Sequence, residues 1–249
     1  VSEPKPHQGG YQRGEEARRR LLEAGIEVFG LHGYEAASTR SITEKAGVNL
    51  AAIPYYFGSK EGLYRAVAEH ITTHLDGPKL TATLEQVEKK LKTSQVSAEQ
   101  ALELLHQLFD GFVTTLLATE GSDLWARFVF RELMEPSSVF EILNQHVVQK
   151  TIRPCAALIG QILDKPSDDP ECLIRAFTLF GQVLIFRTVR EVTLRSLGWQ
   201  EFSGDRLDLI RSVIRQQVDR SLHGSTLEEK TAQSHPASND SSEDTPDRI

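Results

Sequence analysis

The sequence predicts an all-α protein in which a short N-terminal helical domain precedes a larger helical one. Three observations lead there. Apolar residues recur at three- and four-residue spacing along most of the chain, and no run of period-two alternation is bounded by turn residues. The first helices are short and closed by Gly33, Gly47 and Gly58, whereas those after the breaker "DGPK" at 76–79 are longer. Residues 225–249, rich in Ser, Thr, Asp, Glu and Pro, have almost no apolar content and read as a disordered acidic tail.

Composition narrows the class. The 249 residues are 39% hydrophobic, with a formal net charge of −7. No apolar run approaches the roughly 20 residues of a membrane span. The polar start "VSEPKPHQGG" lacks the apolar stretch of a signal peptide. Cys155 and Cys172 each sit in a helix-like pattern and read as buried thiols, with a disulfide between them left open. A cytoplasmic address fits these features best. The acidity lies downstream of residue 75, because residues 1–75 hold nine Lys and Arg against nine Glu. A locally basic surface there can still bind phosphate, since screening acts within about 8–10 Å.

Residues 1–12 read as a flexible polar arm and 13–75 as the first domain. Ala17, Leu21, Ala24 and Val28 recur at helical spacing from Gly14 to about Leu31. Thr39 is placed to cap a second helix through Ala46, and Gly47 to close it in a left-handed conformation. Asn49 is placed to cap a third, from Leu50 to Phe57, with Pro54 as its fifth residue. Ser59 caps a fourth, with the stripe Leu63, Val67 and Ile71. The second domain spans 76–224, with helices about 81–92, 97–119, 122–134, 137–164, 170–197 and 204–222, the last stopped by "HG" at 223–224.

Two short helices joined through a Gly, with an apolar residue after the turn, form a helix-turn-helix pattern over about 38–57. Ala46 lets the helices approach, and Val48, Ile53 and Phe57 anchor the third helix. Asn49, Leu50, Ala51 and Ala52 are left exposed where such motifs meet base edges. This spacing also arises by chance in helical proteins and leaves DNA binding open. The fuller string "STRSITEKAGVNLAAIPYYFGSKEGLYRAV" resembles the signature of the TetR family of transcriptional repressors. The match covers about residues 14–74. The break "LDGPK" and the segment "WARFVFRELMEPS" resemble the CecR-type subgroup.

The resemblance implies an N-terminal three-helix DNA-binding domain and a larger C-terminal domain for ligand binding and dimerisation. It implies a ligand-responsive repressor that binds a palindromic operator as a homodimer, is released by a small-molecule inducer, and controls transport or drug-sensitivity genes. The implied DNA contacts are Thr39, Arg40, Tyr55, Tyr56 and Lys60, together with Asn49, Leu50, Ala51, Ala52 and Pro54. Thr39 and Lys60 face phosphates, Tyr55 and Tyr56 the DNA backbone, and Leu50, Ala51 and Ala52 press thymine methyl groups. The family usually has another residue at Pro54, which puts the usual contact there in doubt. Either tyrosine reads equally as a half-buried surface aromatic.

In the second domain, His106, Phe109, Trp125, Phe128, Arg131, Phe177 and Phe180 are the leading candidates for a ligand pocket. Phe112 and Phe130, with Arg127, Glu132 and Gln182, are secondary ones. Plain core is the blander reading of each aromatic, and a salt-bridged surface that of Arg127, Arg131 and Glu135. Phe186, Val189, Leu207, Ile210, Ile214 and Val218 are the expected dimer interface, with Gly181 permitting close approach. No metal-spaced cluster, phosphate loop or nucleophile elbow is found. No enzyme activity, cofactor, metal or membrane partner is therefore expected. His70 and His74 lie four apart on a helix but lack a third ligand. A helical dimeric interaction protein without DNA binding is the alternative, and it does not account for residues 39–61 together.

Overall fold

The computed structural model describes the backbone of residues 8–73, 77–93, 96–118 and 122–233. All regular structure among them is helical. The N-terminal head comprises α1 (Gln8–Ala36), α2 (Thr39–Ala46), α3 (Ala52–Phe57) and α4 (Lys60–Thr72). The regulatory half comprises α5 (Pro78–Thr93), α6 (Ala98–Val113), α7 (Ser122–Met134), α8 (Phe140–Asn144), α9 (Arg153–Leu163), α10 (Pro170–Thr188), α11 (Arg190–Leu197) and α12 (Gly204–Gln233). Widened π-helical turns extend α6 over Thr114–Ala118 and join α8 to α9 over Gln145–Ile152.

Helix ends follow local chemistry, with differences from the expected limits. The arm is shorter than 1–12, since α1 begins at Gln8; residues 1–7 lie outside the described residues. Gly33, at φ +75°, puts a kink near the end of α1. The cap of α2 is Ser38, not Thr39: its Oγ accepts from the Ser41 N–H at 2.9 Å, which makes Thr39 the first helical residue. Gly47 closes α2 at φ +63°, and Ser59 caps α4 by accepting from the Gly62 N–H at 3.0 Å.

Two expected helices change shape. The single helix over 170–197 breaks at Val189, and α10 and α11 meet at 80°. The bend folds the chain back so that Phe202 packs edge-on against Phe186 and Leu194 joins the core. The stop expected at His223 and Gly224 does not occur, because α12 runs on to Gln233. A mid-helix Gly costs only about 1 kcal/mol relative to Ala, and the following "LEEK" favours helix. Residues 234–249 of the expected tail lie outside the described residues. No single helix among the described residues is long and apolar enough to cross a membrane.

Burial divides into two clusters. One lies inside the regulatory half, around Leu104, Leu108, Phe109, Leu158 and Val183. The other is the core of the head, around Leu21, Phe29, Ile42, Ile53, Leu63 and Tyr64, and it includes Phe128, Val129, Val139 and Leu143. Those last four come from α7 and its neighbourhood, so the head core does not end at residue 75. Trp125 of α7 packs against both clusters. Cys155 and Cys172 are buried and unlinked, and burial pushes the Cys155 thiol up to about 12.

Candidate nucleic-acid interface and regulatory cleft

The head positions its polar surface through a few buried anchors. Ile42 and Ala46 hold α2, and Ile53 is the buried residue of α3. Between them Gly47 turns the chain with the small Ala46 behind it. Lys45 pairs with Glu27 at 2.7 Å and so ties the end of α2 to α1. On the outer side, Arg40, Asn49, Leu50, Ala51, Pro54 and Tyr55 are exposed, while Thr39, Ala52, Tyr56 and Lys60 are half-buried.

Each candidate has a definite local state. Arg40 bonds Glu44 at 2.8 Å along its own helix, and this bond holds its guanidinium above the usual range. Asn49 turns its Oδ1 inward to accept from the Ala51 N–H at 2.9 Å. Leu50 stands 53% exposed and Tyr55 81% exposed, large apolar and aromatic surface with no intramolecular use. Tyr56 packs edge-on to Tyr55 at 4.8 Å. A Cβ at Gly14 would lie 3.3 Å from the Tyr56 hydroxyl, so that glycine leaves room for it. Lys60 sits with Nζ 4.4 Å above the Tyr34 ring and donates to the Glu35 carbonyl at 3.4 Å. Tyr34 and the cap Ser38 were not among the expected site residues. An aromatic 26 positions before Lys60 gives no local signal.

Pro54 is the third helical residue, not the fifth. The helix starts at Ala52, so the missing N–H belongs to the first turn, where donors have no intrahelical partner. Its carbonyl still accepts from the Gly58 N–H at 3.0 Å.

Two family models match this architecture in chain order. "Bacterial regulatory proteins, tetR family" matches residues 21–67, and "HTH-type transcriptional dual regulator CecR, C-terminal domain" matches 101–225. The chain belongs to the TetR family. It is similar to the transcriptional dual regulator CecR of Shigella flexneri, 29% identical over 212 residues, which cover 85% of this chain and 94% of that one. The regulator YdgC of Bacillus subtilis is 37% identical over 180 residues, covering 68% and 85%. A TetR-like transcriptional regulator from Rhodococcus sp. RHA1 has the same fold, with a TM-score of 0.56 at 17% identity, covering 84% of this chain and 96% of that one. TetR-family proteins are DNA-binding transcriptional regulators, not enzymes, and generally ligand-responsive repressors that dimerise.

The expected ligand residues do not converge. Phe128 is buried in the head core beside Tyr64, their ring centres 5.1 Å apart. Phe109 and Phe180 flank Phe112 in the regulatory core, at 5.8 and 5.2 Å. Phe177 is 52% exposed on α10. His106 bonds Asp219 at 2.8 Å and belongs to a ladder joining α6 to α12. Next in that ladder, Asp110 takes Arg215 through Nε at 3.1 Å and through a second guanidinium nitrogen. Then Arg211 donates to Thr114 at 3.0 Å. The three pairs recur at four-residue steps in opposite chain directions, which makes the helices antiparallel and fixes their register.

Of the leading ligand candidates, only Arg131 borders the main cleft, an opening of about 750 Å³ between α7 and the corner of α10 and α11. Glu132, one turn position on, is buried. It accepts from the Tyr64 hydroxyl on one oxygen and from the Ser137 hydroxyl on the other at 2.7 Å. Burial, then the Glu132 bond, raises the Tyr64 pKa strongly. This pair links α4 of the head to α7.

The expected dimer residues also need correction. Leu207, Ile210, Ile214 and Val218 are buried within their own chain, facing the regulatory core. Phe186 is half-buried against Phe202, and Val189 lies at the helix break. The exposed apolar side chains are instead Ile174, Phe177 and Ile185 on α10, and Leu209 and Val213 on α12. Among the described residues, no group of three or more His, Cys, Asp or Glu is arranged to hold a metal ion. His74, half of the histidine pair, lies outside the described residues.

Proposed function

We propose that this chain is a cytoplasmic repressor that binds a palindromic operator as a homodimer and is released by a small-molecule inducer. Transport or drug-sensitivity genes are the targets that the resemblance implies. The observation that carries the reading is the exposed surface of α2, its turn and α3, built around buried Ile42, Ala46 and Ile53. Leu50, Ala51 and Ala52 offer apolar contacts to thymine methyl groups in the major groove, with Pro54 beside them. Asn49 positions these residues through its bond to the Ala51 N–H and does not itself read a base. Thr39, Arg40, Tyr55, Tyr56 and Lys60 supply phosphate contacts, and Lys60 is held ready over Tyr34. Specificity then draws on DNA shape as well as on base edges.

The two-fold partner is a second copy. Ile174, Phe177, Gly181 and Ile185 recur at three- and four-residue spacing on α10, and Leu209 and Val213 are four apart on α12. A Cβ at Gly181 would meet nothing within 4 Å of its own chain, so another helix can approach there. Paired with their copies, α10 and α12 form a four-helix interface. The inducer acts through a shift between conformations with the heads aligned or misaligned on the half-sites.

The test is a mobility shift on operator DNA selected by the purified protein. Arg40→Ala and Ala51→Glu each abolish the shift while leaving the circular dichroism spectrum unchanged. Full binding by both variants refutes the reading.

A further inference from the structure

The cleft beside α7 carries a charge pattern that the DNA-binding role does not use. Four arginines border it, Arg127 and Arg131 from α7 and Arg187 and Arg190 from the α10–α11 corner. Only two carboxylates, Glu135 and Glu191, border it with them. That is a surplus of two positive charges in a chain whose net charge is −7. Arg187 is only 8% exposed, and a guanidinium keeps its charge when buried.

The internal carboxylates do not take up this charge closely. Arg131 stands 3.8 Å from Glu135, and Arg190 stands 3.8 Å from Glu191, both beyond hydrogen-bond distance. The Nε of Arg131 is buried with no hydrogen-bond partner. Another Arg131 nitrogen donates to the Leu31 carbonyl at 3.3 Å. Gly33 makes room for this guanidinium, because a Cβ there would lie 3.2 Å from Nη1. Around the charges lie Phe130, Val189, Val192 and the 82% exposed Met134. A volume of about 750 Å³ suits a small organic molecule.

We infer that this cleft binds a small amphipathic anion, whose carboxylate, sulfonate or phosphate group lies between Arg131 and the α10–α11 corner and whose apolar body covers Phe130 and Met134. The inference rests on the ligand-responsive reading above and names the site and chemical class of the effector. The position suits an effector. On one side α7 is part of the head core through Phe128 and Val129 and bonds Tyr64 through Glu132. On the other, α10 carries the apolar stripe assigned to the dimer. A ligand bridging the two sides biases the angle between head and dimer.

The test is isothermal titration of the full chain, without DNA, with 2-naphthoate and its neutral isostere 2-naphthamide. Naphthoate binds saturably and at least about tenfold more tightly than the amide, as expected when a charged hydrogen bond is gained. Arg131→Gln and Arg127→Gln each weaken naphthoate by about tenfold and leave the amide unchanged. Arg195→Gln, on α11 outside the cleft, binds as the unaltered protein does. Arg127 is exposed, so its variant keeps the test intact even if Arg131→Gln disturbs folding. Equal affinity for both probes, no saturable heat with naphthoate, or full naphthoate binding by Arg127→Gln overturns the inference. Operator binding by the protein without naphthoate is measured separately, so a failure of the repressor reading shows there and not in the calorimeter.

Discussion

The seam between α1 and α7 and the seam between α6 and α12 both join long helices, yet they are held by opposite means. The first joins head to regulatory half through apolar packing of Phe128 and Val129, with close backbone approach at Gly30. One buried bond, Tyr64 to Glu132, reinforces it from α4. The second carries three polar pairs one helical turn apart, along the rim of an apolar core. Apolar surfaces slide with little directional penalty, whereas a ladder of directional pairs fixes register. Movement of the heads is therefore expected at the first seam, with the second as the rigid reference.

That contrast can be broken at its strongest point first. Phe128→Ala should cost about 3–5 kcal/mol, because a large ring leaves a cavity shared by both domains. Urea denaturation should show the loss, and a change under about 1 kcal/mol would mean the seam carries little of the stability. Next comes Glu132→Ala, which leaves the Tyr64 hydroxyl and Ser137 without their acceptor and should cost about 1–3 kcal/mol by the same measurement.

Tyr64→Phe sharpens the picture through pH. The ordinary tyrosine value is 10.0, and burial beside Glu132 raises it in the folded state. Below pH 10 the contribution is fully present. Above it the unfolded chain loses the proton first, so stability falls as pH rises toward the folded value. The phenylalanine variant should lose this alkaline decline, and an unchanged slope above pH 10 would contradict the assignment.

The ladder should answer more weakly. A double-mutant cycle on Asp110 and Arg215 should give a coupling near 1 kcal/mol, reduced from a buried value because Arg215 is partly exposed. Smallest of all is Glu44→Ala, which removes a fully exposed partner of Arg40. It should leave the thermal midpoint unchanged while freeing Arg40, and a clear drop in midpoint would show that the pair is structural.

The sequence was legible where chemistry is local. Gly47, Ser59, Ile53 and Phe57 announce their positions, because caps and i,i+4 anchors are set within a turn of chain. The break at Val189 was not legible, since neither Gly nor Pro marks it and the cause is the distant packing of Phe202 on Phe186. The stripe Leu207, Ile210, Ile214 and Val218 was recognised as a stripe, but it fills the chain's own core. A single chain must bury its strongest apolar face before it can offer one to a partner. The weaker second stripe, Leu209 and Val213, is the one left outside. The ligand candidates scattered for a related reason: apolar spacing tells which residues are buried, not which of two cores receives them. Phe128 and Phe109 went to different ones.

Trp125 is one of two tryptophans in the chain, and the other, Trp199, lies beyond α11 beside Phe202 and Arg206. With Trp199 replaced by Phe, a single indole remains at the point where the two cores touch. Its emission then serves as a built-in optical gauge of how the head sits on the regulatory half. Operator and effector can each be titrated against the same spectroscopic signal, with no dye attached.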